Sequence, residues 1–175
     1  NWNTLFRFED VATVKNRTLD ASAATDIQRG ITFKTSVTVD NCTLIGNGTT
    51  ARYAVIVGEG AGTDIVDVTA NITNSTFKDW IKGVTDNMNR QDMKEFAITG
   101  CTFDNTDVII SAKEKVTFTG NNMSSNSYVN ITSHTVPNNV QVVAIDNTNL
   151  AANTETEYNQ IVAPLAKITA QDGFL

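Results

Sequence analysis

The chain has 175 residues, enough for one domain with a full core. Nineteen acidic against thirteen basic residues give a net charge of −6, and no Lys/Arg cluster occurs, which argues against nucleic acid and anionic membranes as partners. No apolar run approaches the roughly 18 residues of a membrane span, so no membrane insertion is expected.

Phe6-Arg7-Phe8 comes first and reads as a strand whose preceding partner is missing. Six copies of one pattern follow: apolar, polar, Asn or Gly, small or polar, Thr or Asn, large apolar. They are Val14-Lys15-Asn16-Arg17-Thr18-Leu19, Val39-Asp40-Asn41-Cys42-Thr43-Leu44 and Ile72-Thr73-Asn74-Ser75-Thr76-Phe77, then Ile98-Thr99-Gly100-Cys101-Thr102-Phe103, Phe118-Thr119-Gly120-Asn121-Asn122-Met123 and Ile145-Asp146-Asn147-Thr148-Asn149-Leu150. Their starts lie 25, 33, 26, 20 and 27 residues apart. Such a period marks a solenoid, in which each copy buries its apolar face only against its neighbours.

The third position admits only Asn or Gly, the residues that take a left-handed backbone at least cost, so the chain is expected to bend there. Before the bend, apolar and polar residues alternate, as in Val37-Thr38-Val39 and Phe96-Ala97-Ile98. A period of two is the mark of a strand with one buried face. After the bend the sixth position returns to the core. A second strand is expected in each copy: Ile31-Thr32-Phe33, Tyr53 to Val57, Trp80 to Val84, Val108 to Ile110, Tyr128 to Ile131 and Tyr158 to Val162. The one helical candidate, Asn89 to Phe96, is short. A β-sandwich with chance repeats is the alternative; six in-register copies argue against it.

These runs, "VDNCTL", "ITNSTF" and "ITGCTF" above all, resemble the rungs of right-handed parallel β-helix proteins of the pectin-lyase-like superfamily, and look most like repeat proteins of bacterial surfaces, including those of Bacteroides. The resemblance implies an all-β, right-handed parallel β-helix solenoid of about six to seven rungs. Repeats would cover residues 11–162 and a C-terminal cap 163–175, in a single domain 1–175. Because the sequence begins at Asn1 rather than Met, the chain is expected to be part of a longer protein. The motif is specific for fold and unspecific for function.

The cysteines share the fourth position of the second and fourth copies. Two rungs apart they would lie about 9.6 Å from each other, beyond disulfide reach, so Cys42 and Cys101 are expected to be free, buried thiols with Ser75 stacked between them. A catalytic thiol is disfavoured, since the only histidine, His134, lies far along the chain.

The resemblance makes a polysaccharide lyase or glycoside hydrolase the sharpest alternative function, and a phage tailspike fragment a third. Outward positions of the first strand are read as Thr13 and Lys15, Thr38 and Asp40, Asn71 and Thr73, Ala97 and Thr99, Thr117 and Thr119, Ala144 and Asp146. Only Asp40 and Asp146 are acidic, about four rungs or 19 Å apart. Glycoside hydrolysis requires carboxylates about 5–9.5 Å apart, so no catalytic residue is assigned. Asp104 and Asp107, in a D-N-T-D turn, are the candidate metal ligands, with Ca²⁺ the candidate ion; the solvated-turn reading is favoured over it. No phosphate-binding loop, zinc motif or nucleophile elbow occurs.

Candidate carbohydrate-contacting residues are Trp80, Tyr53, Tyr128, Glu59, Asn87, Arg90 and His134. For Trp80 and its expected equivalents Tyr53, Val108, Tyr128 and Tyr158, packing competes with sugar stacking, because the position accepts Val. Segments Gly58 to Asp64, Thr85 to Glu95 and Ser133 to Asn139 all follow second strands and are expected to project along one edge. Several Asn-x-Ser/Thr strings are by-products of the motif, whose bend asparagines are expected to bond the backbone instead. The outward columns mix Thr with Asn, Ala, Lys and Asp, too irregular for ice binding. The reading is therefore a non-catalytic module of a secreted or cell-surface bacterial protein, binding polysaccharide or host glycan or serving adhesion, with oligomeric state left open.

Overall fold

The computed structural model describes residues 3–60, 64–86, 93–132, 141–148 and 167–170. Each turn of the chain lays down three strands, one in each of three parallel sheets. The first turn holds β1 (Thr4–Phe8), β2 (Ala12–Lys15) and β3 (Thr18–Asp20), and the second β4 (Arg29–Phe33), β5 (Val37–Asp40) and β6 (Thr43–Ile45). Next come β7 (Tyr53–Val57), β8 (Val68–Thr73) and β9 (Thr76–Lys78), then β10 (Lys82–Asp86), β11 (Met93–Thr99) and β12 (Thr102–Asp104). The fifth turn holds β13 (Asp107–Ser111), β14 (Lys115–Thr119) and β15 (Asn122–Met123); β16 (Val129–Thr132), β17 (Gln141–Ile145) and β18 (Lys167–Ala170) follow. Sheet A runs β1-β4-β7-β10-β13-β16, sheet B β2-β5-β8-β11-β14-β17-β18 and sheet C β3-β6-β9-β12-β15. The fold is a parallel β-solenoid of about five turns, and no helix occurs among the described residues.

Register carries the core from turn to turn. Val14, Val39, Ile72, Ile98, Phe118 and Ala144 form one inward column of sheet B. Leu19, Leu44, Phe77, Phe103 and Met123 form that of sheet C. Phe77 and Phe103 stack with ring centroids 5.1 Å apart, close to the roughly 4.8 Å between strands, so side-chain stacking follows backbone spacing.

The bends fall where the motif placed them: Asn16, Asn41, Asn74, Gly100 and Gly120 all have φ between 51° and 66°. The sixth copy corrects the expected register. Thr119 pairs with Ile145, so Ala144 fills the inward column and Asp146, not Asn147, takes the left-handed bend (φ 58°). Val143 and Ile145, rather than Ala144 and Asp146, therefore occupy the outward positions of β17. Alternation alone admits either frame, because Val142-Val143-Ala144-Ile145 is apolar at every position.

Three further expectations change. The return after the bend is itself a strand, which gives sheet C. Residues 93–96, within the expected short helix, belong to β11, where pairing with β8 and β14 outweighs local propensity. The second strand of the third copy begins at Lys82, two residues beyond Trp80. The strand expected at Tyr158 to Val162 lies outside the described residues. β18 falls within the expected cap and adds to sheet B, pairing Gln141 to Ala144 with Lys167 to Ala170.

At the first corner, between sheets B and C, the fourth motif position closes the turn from inside. At Cys42, Cys101 and Asn121 the backbone N–H donates to the side chain one turn later. Cys42 N donates to Ser75 Oγ (3.0 Å), Cys101 N to Asn121 Oδ1 (2.9 Å) and Asn121 N to Asn147 Oδ1 (2.9 Å). The side chains donate in turn to carbonyls of the preceding turn: Cys101 Sγ to Ile72 O, Asn121 Nδ2 to Ile98 O and Asn147 Nδ2 to Phe118 O. Cys42 and Cys101 are free and buried with Ser75 between them, as their spacing predicted. Burial pushes the Cys101 thiol up to about 12, which keeps it protonated and unreactive at neutral pH.

Candidate functional site

The second corner, between sheets C and A, is built on the same plan but is less regular. Asp79 and Asn105 take the left-handed bend, with φ of 56° and 50°. Behind the bend, Trp80 N donates to Thr106 Oγ1 (3.1 Å) and Thr106 N to Ser127 Oγ (2.8 Å). The connection from β6 to β7 is longer. Asn47 Oδ1 holds it by accepting from the backbone N–H groups of Thr49, Thr50 and Ala51. The side-chain amide of this sequon is thereby engaged by its own loop.

Uneven connection length opens a cleft of about 240 Å³ between successive turns. Gly48, Asp79, Asn105, Asp107 and Asn126 form its polar lining, with Ile81 and a sliver of Trp80. Asn105 Nδ2 donates to Asp79 Oδ1 at 2.9 Å, which fixes both side chains. Beside the cleft, the entry positions of sheet A form a half-buried column: Arg29, Tyr53, Lys82, Asp107 and then Tyr128. Lys82 Nζ lies 5.5 Å from the Tyr53 ring centroid, and Asp107 Oδ1 accepts from Tyr128 N at 3.2 Å. Arg29 pairs with Glu59 at 2.6 Å where both side chains are largely covered.

The corner thus brings together Tyr53, Asp107 and Tyr128 from the sequence candidates and sets Glu59 beside it through Arg29. Trp80 is displaced from that column. It is 1% exposed, and its ring packs where Gly30 and Gly46 carry no side chain; a Cβ on these glycines would lie 3.2 Å from Trp80 Cη2 and 3.0 Å from Trp80 Cδ2. The indole face is closed to a sugar ring, so the packing reading of Trp80 is the one the geometry gives. Asn87, Arg90 and His134 lie outside the described residues, as do parts of all three segments expected to project. Thr85, Asp86 and Met93 to Glu95 belong to strands β10 and β11, which shortens the middle segment at both ends. Sequence reasoning missed Lys82, Asn105 and Asn126. The turn signal around Asn105 was visible, but their convergence required the register.

Asp104 pairs with Lys78 at 3.5 Å. Among the described residues no three His, Cys, Asp or Glu side chains are grouped to hold a metal ion.

The outer face of sheet B carries the column Lys15, Asp40, Thr73, Thr99, Thr119 and Ile145, and a further outward column holds Thr69, Glu95, Lys115 and Gln141. Asp40 accepts from Thr73 Oγ1 (2.7 Å) and Asn74 Nδ2 (3.1 Å); these bonds, aided by Lys15, hold its carboxyl below the usual range. Asp40 and Glu95 stand two turns and four residues apart, roughly 16 Å by strand spacing and rise, beyond the reach of a glycosidase pair. Compared with known proteins, the chain matches no family model, no curated protein and no solved structure.

Proposed function

We propose that this β-solenoid is a non-catalytic carbohydrate-binding or adhesive module of a secreted or cell-surface bacterial protein, and that the second corner is its binding surface. The observation that carries the reading is the Tyr53–Lys82–Asp107–Tyr128 column lying along the polar cleft of Gly48, Asp79, Asn105 and Asn126. Carboxylates and amides suit sugar hydroxyls, and tyrosine rings present apolar faces with a polar tip. The cleft is shallow and runs from turn to turn, which suits an extended glycan aligned with the solenoid axis. On sheet B, Asp40 and Glu95 stand too far apart to serve as a glycosidase pair on that face.

The test is a glycan array followed by calorimetric titration of the best ligand. Tyr53→Ala and Asp107→Asn are expected to weaken binding at least tenfold, while Thr99→Ala, on sheet B, leaves it unchanged. Wild-type affinity in both corner variants would sink the assignment. Reading the same polysaccharides for new chain ends, with Ca²⁺ present, separates binding from the lyase or hydrolase alternative: release of ends would replace this reading with an enzymatic one.

A further inference from the structure

Asn47 and Gly48 form the one Asn-Gly pair in the chain. Asn-Gly is the dipeptide most open to spontaneous deamidation, because glycine sets no side chain in the path of its own nitrogen toward the asparagine carboxamide. The pair stands at the second corner, in the long connection from β6 to β7, and the fold engages both reacting groups. Asn47 Oδ1 accepts from the backbone N–H groups of Thr49 (3.0 Å), Thr50 (2.9 Å) and Ala51 (3.0 Å). Asn47 Nδ2 donates to Ala24 O, one turn earlier, and to Thr50 Oγ1, both at 2.6 Å. The attacking atom is held as well: Gly48 N donates to Asp79 O, one turn later, at 2.9 Å. Beside the pair, a Cβ on Gly46 would lie 2.9 Å from Ala51 Cβ and 3.0 Å from Trp80 Cδ2, so the connection is packed as closely as it is bonded.

We propose that Asn47 is a deamidation site gated by the second corner, inert while the corner is closed and converted when it opens. Once Gly48 N is released and hydroxide takes its proton, the nitrogen bonds to Asn47 Cγ, and the Cγ–Nδ2 bond breaks as ammonia leaves. Water then opens the cyclic imide at either carbonyl, giving aspartate or its β-linked isomer. No oxidant or reductant takes part. The closed corner stops the first step, because the carboxamide must leave its partners, and Gly48 N its acceptor, before the two can align.

The conversion leaves its mark on the corner. A carboxylate cannot donate, so Ala24 O and Thr50 Oγ1 lose the bonds that Asn47 Nδ2 supplied, and a charged oxygen meets the Ala24 carbonyl instead. The β-linked isomer also lengthens the backbone by one atom. The link from the β6–β7 connection to the turn before it is then not remade, and Asn47 records the opening of the corner in covalent form.

Peptide mapping by mass spectrometry reads the conversion in the full chain, held folded or in urea in the same mildly alkaline buffer. Asn47 should be the fastest-converting asparagine in urea, and at least tenfold slower in the folded chain, because only the open fraction reacts. Thr50→Val removes one partner of the carboxamide; it should speed Asn47 severalfold in the folded chain and leave its rate in urea unchanged. Trp80→Ala, which loosens the packing beside the pair, should speed it more than Asn121→Ala at the first corner, with both variants measured while still folded. Equal rates in the folded chain and in urea overturn the proposal. So do wild-type rates in both Thr50→Val and Trp80→Ala. Equal acceleration by Trp80→Ala and Asn121→Ala overturns it too, since the gate would then be the fold as a whole. Glycan binding does not enter this measurement, and the proposal holds or fails without it.

Discussion

The first and second corners of this solenoid solve the same problem with different tolerance. Both turn the chain with one left-handed residue and satisfy the N–H behind it with a side chain from the next turn. At the first corner the spacing never varies among the described turns, and the ladder from Cys42 to Asn147 closes it from inside. At the second, the connection from β6 to β7 is longer than those after β9 and β12, and the turns do not nest. A strict corner leaves nothing for a ligand to enter; a lax one leaves a cleft lined with turn residues. If the proposed binding surface is correct, stability and recognition are in this way divided between two edges of one coil.

The sharpest test of that division is the filler at the lax corner. Trp80 occupies the room left by Gly30 and Gly46. Trp80→Ala is expected to lower unfolding free energy by about 3–5 kcal/mol, read from the urea midpoint, because neighbouring backbone cannot collapse into the void. A loss below about 1 kcal/mol would show that the second corner is not held by packing and would erase the contrast.

Much of this architecture was legible in the sequence because its physical causes are local. Asn16, Asn41, Asn74, Gly100 and Gly120 take left-handed bends that few residues tolerate, and the Val39 and Ile72 columns follow from alternation. Cys42, Ser75 and Cys101 were placed in one stack by counting positions. What escaped depended on context. Sheet C consists of strands of two or three residues, too short to display a period. The all-apolar run at Val142 to Ile145 hides its own frame, so the sixth copy was read one residue late. Trp80 was aligned with Tyr53 on the assumption of equal connections, and the site lies where connections are unequal. Lys82 enters the column only once that length difference is known. The candidate site was thus less readable than the fold for the same reason that it exists.

A smaller effect separates the two corners by hydrogen bonding. Asn121 is buried and serves Cys101 N and Ile98 O. Asn121→Ala should cost about 2–3 kcal/mol, since buried groups lose their partner without gaining water. Asn121→Ser should recover part of that, since Ser75 supplies the same acceptor to Cys42 N one corner position away. Asn105→Gly, at the exposed bend of the second corner, keeps the backbone conformation and should stay within about 0.5 kcal/mol of the wild type. Equal losses for Asn121→Ala and Asn105→Gly would mean that the inner ladder adds nothing beyond the bend itself.

The smallest expected effect is a dependence on pH at the mouth of the first corner. Thr73 and Asn74 hold the Asp40 carboxyl below its ordinary 3.8. A group whose pKa is depressed by folding contributes its stabilisation in full above the unfolded value, and loses it as pH falls through the folded one. Wild type should therefore lose more stability than Asp40→Asn when urea midpoints at pH 5 and pH 3 are compared. The carboxylate is solvent-facing, so the difference between the two slopes will be slight, well short of the Asn121 effect. Parallel slopes would indicate that the Thr73–Asp40–Asn74 bridge between turns does not persist in solution. The strict corner would then rest on its buried ladder alone.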